Sequence, residues 1–323
     1  MIRALRRDPW VVGLVVIFVA LMIATRIIQP GYGGGDFGSL ARAAMPYAFA
    51  TAAQAVVVIA GGVDLSVAAM MALTSVSAAR MMDGASEEAA ILVVPLVLAI
   101  GAALGALNGL LIVLTRVPDI VVTLATLFVF QGAALLVLEA PGGGAAAWLK
   151  AAVTGIVAIP GLPGISAWVP KALVLLVVCL AVVWVPLRRS RLGLSIYAIG
   201  SSELAAFRSG VPVAATRVAA YAIAGLFAAM GGLALTMSTG IGAPIPGPYL
   251  LASVAAVVLG GVVLGGGRGG LVGPIVAVFI LRLVRTILTL LAVDPNATTI
   301  IEGTIMVVVV MFGAFIAMRG RAT

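Results

Sequence analysis

The chain has no histidine, one cysteine and only 11 acidic residues among 323. Without imidazole there is no His-based acid–base or nucleophilic catalysis, and with one thiol nothing remains from which to build a zinc or haem site. An intrachain disulfide is impossible, and the lone Cys179 sits inside an apolar stretch. No paired-carboxylate set is visible either, so no catalytic residue and no metal ligand is assigned. Charged residues make up 9% against 63% hydrophobic, which lies far outside the range of soluble globular proteins. A soluble domain is also missing. The longest loops, about 140–170 and 188–217, have room for a short helix each and bury no independent core.

What is present is a succession of apolar runs. A ~30 Å hydrocarbon core needs about 20 apolar residues per helix. Ten runs approach that length: 10–29, 46–62, 65–82, 89–115, 119–139, 171–187, 218–238, 251–264, 271–291 and 297–318. They predict an all-α polytopic membrane protein with one transmembrane domain over 1–323. The first run follows Arg3, Arg6 and Arg7 as a secretory signal does, but its apolar part is long and lacks a small-residue cleavage site. It is expected to be retained.

Basic residues favour the cytoplasmic side of short loops. With the N-terminus inside, Arg3, Arg6, Arg7, Arg116, Arg188, Arg189, Arg191, Arg208, Arg217, Arg268, Arg319 and Arg321 fall on that side. Arg26, Arg42, Arg80, Lys150 and Lys171 fall on or near the outer side, and only Arg282 and Arg285 lie within a span. Both termini are therefore expected in the cytoplasm. This bias, together with anionic lipid at the inner leaflet, accounts for the net charge of +8 without invoking nucleic acid.

Residues 56–70 read VVVIAGGVDLSVAAM, a hydrophobic run broken by two glycines and then an aspartate. A carboxylate at the centre of a bilayer helix costs ~2.5–3.5 kcal/mol even on the lenient insertion scale, so it belongs against protein or a water-lined interior. Two readings stand: Asp64 marks a helix break on a transport pathway, or it caps the next helix in a tight turn. Asp64, Ser66, Asn108, Thr123, Thr126 and Gln131 form the candidate pathway, with Gln54 and Thr74 beside them. For each, helix–helix hydrogen bonding is the alternative. Gly101, Gly105 and Gly109 continue a small-xxx-small spacing that permits close helix packing. Arg282, Arg285 and Glu302 form a charge cluster that either neutralises itself, with Asp294 as a further partner, or contacts an anionic substrate.

Within the inner loop 188–217, Ser201 or Ser202 is placed to cap a two-turn helix of Glu203, Leu204, Ala205, Ala206, Phe207 and Arg208, stopped by Gly210 and Pro212. Leu204 and Phe207 share a face, while Glu203 and Arg208 complement the helix dipole. Such a capped apolar knob suits docking into another protein; the alternative is a loop lying on lipid. Gly265, Gly267 and Gly270 satisfy GxGxxG, but both flanks are membrane spans rather than the strand and helix of a dinucleotide site. The glycine-rich stretch contains no GxxxxGK[ST] either, so any ATP is bound by another chain.

Four segments occur in a recognisable order: GGVDLSV at 61–67, ALNGLLIVLTRVPDIVVTLAT at 106–126, LGLSIYAIGSSELAAFRSGV at 192–211 and YLLASVAAVVLGGVVLGGGRG at 249–269. In this the chain, from about 45 to 312, resembles permeases of ribose/xylose/galactose-type sugar ABC importers. The resemblance implies a fold like the vitamin B12 importer permease. It also implies a second permease copy, homo- or heterodimeric, a cytoplasmic ATP-binding cassette ATPase carrying ATP and Mg, and a periplasmic sugar-binding protein in a bacterial inner membrane. It makes Ser202 to Gly210 the coupling helix, and this chain itself binds no cofactor. Three departures are notable: Ala68 where the family usually has glycine, no acid near Tyr249, and Arg285-Thr286 where an Asn-Gly pair is common. A shift of 177 residues aligns Leu111, Leu114 and Pro118 with Leu288, Leu291 and Pro295, a hint of an inverted repeat. The alternative function is an ion-coupled secondary transporter using Asp64 and Glu302 as carriers.

Overall fold

The computed structural model describes residues 9–319. Arg3, Arg6, Arg7 and Arg321 lie outside the described residues. The helices are α1 (Pro9–Ile28), α2 (Gly34–Ile59), α3 (Val67–Met82), α4 (Glu87–Thr115), α5 (Asp119–Val137), α6 (Ala147–Val153), α7 (Pro163–Ser166), α8 (Lys171–Arg189), α9 (Arg191–Ser201), α10 (Glu203–Arg208), α11 (Val213–Thr239), α12 (Tyr249–Leu259), α13 (Val272–Leu290) and α14 (Pro295–Arg319). Among the described residues the only β pairing is two isolated bridges, Gly142 with Gly242 and Ile156 with Pro170. Among the described residues seven helices are long and apolar enough to cross a membrane, and α3 and α12 are shorter apolar helices. The protein is a polytopic helical membrane protein.

Helix α2 is the central post. It is rich in alanine, and from Ala44 to Ile59 only Tyr47 is more than marginally exposed. A helix that is apolar all round belongs inside. Around it pack α3, α8, α11, α12 and α13, while α1, α4, α5 and α8 turn rows such as Leu92, Leu96 and Leu114 outward. Exposed apolar surface on that scale is what lipid contact requires. On α4, Gly101, Gly105 and Gly109 meet α11 backbone to backbone. A Cβ at Gly105 would collide with the Tyr221 carbonyl, and one at Gly225 with the Gly101 carbonyl.

Several boundaries differ from the sequence reading. The second run, expected at 46–62, begins at Gly34, because Asp36, Arg42 and the glycines dilute its hydropathy while Asp36 accepts a hydrogen bond from Gly33 N and fixes the first turn. The run expected at 251–264 is helical only as α12, 11 residues or ~16 Å, about half a bilayer. Its C-terminal part is the glycine break described below, and the chain reaches its start through the non-helical segment 240–248. Inside the loop 188–217 an additional helix, α9, is capped by Ser190 Oγ accepting from Gly193 N.

Candidate functional site: two polar layers and a coupling helix

Helices α2 and α12 end in the same way, 200 residues apart. Ala60 N, Gly61 N and Gly62 N donate to the carbonyls of Val56, Val58 and Val57; Gly260 N, Gly261 N and Val262 N donate to those of Ala256, Val258 and Val257. Gly61 and Gly261 have φ of +88° and +83°, a conformation that glycine adopts without strain. The breaks touch. Gly267 N donates to the Ile59 carbonyl at 2.9 Å, and Gly200 of α9 lies so close to that carbonyl that a Cβ would overlap it. Of the GxGxxG glycines, Gly267 thus serves close packing of one loop on another helix, while Gly270 has open space around it.

These contacts define one layer, the inner one in the orientation expected from the basic residues. Trp10, in the first turn of α1, donates its indole N–H to the Leu259 carbonyl at 2.8 Å, an arrangement suited to a membrane interface. Asp64 therefore sits near one end of the membrane-length helices, not at their centre. It is fully buried. Its Oδ1 accepts from Ser66 N at 2.8 Å and Ser66 Oγ at 2.7 Å, and Asn108 Nδ2 donates to Ser66 Oγ at 2.8 Å. The geometry is that of a capped turn leading into α3. Asp64 Oδ2 and Asn108 Oδ1 remain buried without a partner.

Alongside, Thr123 Oγ1 accepts from Leu65 N, and Asp119 Oδ2 accepts from Val63 N at 2.7 Å and from Tyr221 OH at 3.3 Å. The structure thus brings together Asp64, Ser66, Asn108 and Thr123 from the sequence-predicted set. Thr126 bonds back to the Thr123 carbonyl, and Thr74 to that of Met70. Gln131 is half-buried two turns further along α5 and takes no part in this layer. Asp119 and Tyr221 were missed; the only signal for Asp119 was a carboxylate directly after Pro118 at a helix start.

A second polar layer lies at mid-depth. Tyr249 and Arg282 are each ten residues, ~15 Å, above Leu259 and Val272, and Tyr47 is twelve residues, ~18 Å, above Ile59. There the Arg282 guanidinium lies 4.8 Å from the centroid of the Tyr47 ring, and the rings of Tyr47 and Tyr249 are 4.5 Å apart. Arg285 pairs with Glu302 at 2.8 Å. Arg282 forms no ion pair among the described residues, and its Nε is buried without a partner. Asp294 is occupied elsewhere, its Oδ1 accepting from Asn296 N and Ala297 N at the start of α14.

On the inner face, Ser202 Oγ accepts from Ala205 N and caps α10, and Glu203 pairs with Arg217 of α11 at 2.6 Å. Ala206 is buried, but Leu204 and Phe207 are 60% and 69% exposed. Gly210 and Pro212 close the helix and start α11. Arg208 ends the helix, exposed. Between α10, the α4–α5 loop and α11 opens a cleft of about 940 Å³, bounded by Gly61, Gly62, Arg116, Asp119, Phe207 and Tyr221 among others. It joins α10 to the polar layer around Gly61 and Asp119.

Residues 37–310 match the protein family described as branched-chain amino acid transport system / permease component. The chain is 34% identical over 260 residues to the ribose import permease protein of Bacillus subtilis, covering 79% of this chain and 77% of that one. It is 28% identical over 323 residues to the autoinducer 2 import system permease proteins of Escherichia coli and Shigella flexneri, covering 94% of this chain and 92% of those. No solved structure matches. Since the match takes in both helix breaks, both polar layers and the capped inner helix, the chain belongs to the branched-chain amino acid transport system / permease component family.

Proposed function

We propose that this chain is the membrane-spanning subunit of an ATP-driven importer, forming the translocation pathway for a simple sugar or related polyol. The chain is non-catalytic; ATP and Mg reside on a cytoplasmic ATP-binding cassette partner. A periplasmic binding protein delivers the solute. Two permease copies, identical or paired with a relative, enclose the pathway in a bacterial inner membrane, each with ten spans, a vitamin B12 importer permease-like fold and both termini in the cytoplasm. The relatives named for ribose and autoinducer 2 import support the reading.

The observation that carries the reading is α10. A six-residue helix that is capped at Ser202, tethered by Glu203 to Arg217 and yet presents Leu204 and Phe207 to solvent is an apolar plug without a socket among the described residues. Burying two such side chains in a partner gains ~1.5–3 kcal/mol each. Movement of α10 would reach α11 through the Glu203–Arg217 pair, and through α11 the break at Gly61, so that alternating access follows from partner closure. The Leu204→Asp, Phe207→Asp double variant is expected to insert normally but lose the ATPase on co-purification and lose transport. Undiminished association and uptake would refute the docking assignment. Uptake that collapses with an ionophore while ATP stays high would instead indicate ion coupling through Asp64 or Glu302.

A further inference from the structure

Arg282 borders two cavities. One, about 40 Å³, lies between α2, α12, α13 and α14 and is bounded by Tyr47, Pro248, Ala252, Arg282 and Glu302. The other, about 270 Å³, lies on the outer side against Gln29, Tyr32, Asp36, Ser39 and Thr286. The larger has room for a small sugar. The smaller has room for little more than one water, whose share of liquid volume is ~30 Å³, and so for a carboxylate-sized group.

Charge decides what that group is. Arg285 and Glu302 pair, which leaves Arg282 without an ion pair among the described residues; it is partly exposed to the outer cavity that Asp36 also lines, but its Nε is buried without a partner, and holding that charge there has a cost. A cation–π contact with Tyr47 offsets only part of that cost, ~2 kcal/mol when desolvated. The N-terminal, electropositive end of α12 opens in the same layer, beside Pro248 and Tyr249. On the Tyr47 face of α2, Thr51 and Gln54 follow at four and seven residues' distance, fully buried; Thr51 Oγ1 and both amide atoms of Gln54 have no partner. Neither residue borders these cavities, so the polar groups that a solute would meet are Gln29, Tyr32, Asp36, Ser39 and Thr286 of the outer one, and a neutral solute would leave the cation unanswered.

We propose that Arg282, with Tyr47, Tyr249 and the start of α12, forms a mid-membrane subsite for the carboxylate of a small polyhydroxylated acid. The subsite refines the substrate class of the importer proposed above and rests on that reading. The planar guanidinium fork receives the carboxylate in the inner cavity, and the hydroxylated remainder extends into the outer one. Weak binding suits a subunit that must release what it receives.

The test is the melting temperature of the purified full-length chain in phosphatidylcholine nanodiscs, titrated with D-gluconate, D-ribose or acetate at matched ionic strength. D-gluconate near saturation is expected to raise Tm by about 2–4 °C, D-ribose not to, and acetate by less than half as much. Arg282→Gln is expected to abolish the shift. Arg282→Lys, which keeps the charge but not the fork, is read in parallel and is expected to reduce the shift at least twofold, so the proposal stays testable if the glutamine variant aggregates. Equal shifts with ribose, an undiminished shift in either variant, or no shift would overturn the subsite. So would equal shifts with acetate, an adventitious ion only, or stabilisation only by added phosphatidylglycerol, which would make this a lipid headgroup site. Retained ATPase co-purification without a gluconate response would sink the subsite and leave the importer reading standing; the converse result would sink the importer reading.

Discussion

The two polar layers of this protein solve opposite problems. At the inner layer, Asp64, Ser66, Asn108, Asp119, Thr123 and Tyr221 fasten a helix break: the carboxylates accept backbone N–H groups that the opened helix has released. At mid-depth, Tyr47, Tyr249, Arg282, Arg285 and Glu302 include one paired cation and one that is not. Burial separates them in part: Asp64, Ser66, Asn108, Thr123 and Tyr221 are buried, whereas the five members of the second layer are partly exposed. What separates them further is whether the fixed dipoles and charges around each ion already satisfy it, since an unmet buried group costs far more than a met one contributes. The first layer is a joint, and the second is the layer in which the proposed subsite lies.

Removing one member from each layer breaks or sharpens that distinction. The largest effect is expected for Asp64→Ala, which strands Ser66 N and Oγ in a sealed turn: about 3–5 kcal/mol in the detergent melt. Asp64→Asn keeps an acceptor at Oδ1 and is expected to recover at least half. A loss under 1 kcal/mol would show that the joint is held by packing instead. Next comes Glu302→Gln, about 2–4 kcal/mol, because Arg285 then joins Arg282 as an unpaired cation. Adding Arg285→Gln is expected to restore part of the loss, and strict additivity of the two in a double-mutant cycle would deny the pair.

Smaller effects test the link between layer and coupling helix. Tyr221→Phe removes a hydrogen bond to Asp119 and is expected to cost about 0.5–1.5 kcal/mol, with uptake per ATP hydrolysed falling more than the melting temperature implies. A tyrosine acting only as packing would leave that ratio unchanged. The least effect on stability is expected for Glu203→Gln, under 1 kcal/mol, since the Glu203–Arg217 pair is partly exposed. ATPase stimulation is where that variant is expected to show.

Much of this was legible in the chain. Helix type followed from the apolar runs, α10 from Ser202, Gly210 and Pro212, and a close-packing face on α4 from three glycines at four-residue spacing; helix number did not, since ten runs were read and seven helices among the described residues are long and apolar enough to cross a membrane. Local signals suffice where local chemistry decides the outcome. Depth was less legible: Gly61, Gly62 and Asp64 mark a break in the hydrophobic run but not its level, and only long-range contacts such as Trp10 with Leu259 reveal that the run folds back at one end of the bundle. The start of α2 at Gly34 was hidden because burial inside a protein tolerates the glycines and Arg42 that a lipid-facing helix would exclude. Asp119 and Tyr221 were illegible for a related reason. They act on a break 56 and 158 residues away, a separation that no periodicity encodes.

The contrast between the joint and the proposed subsite is tested most directly by comparing Arg282→Gln with Asp64→Ala in one detergent without ligand. If Arg282 is held for a substrate rather than for the fold, its removal relieves an unpaired charge, so Tm is expected to stay level or rise while uptake is lost. A fall in Tm comparable to that of Asp64→Ala would make Arg282 a structural residue and contradict the division of the two layers.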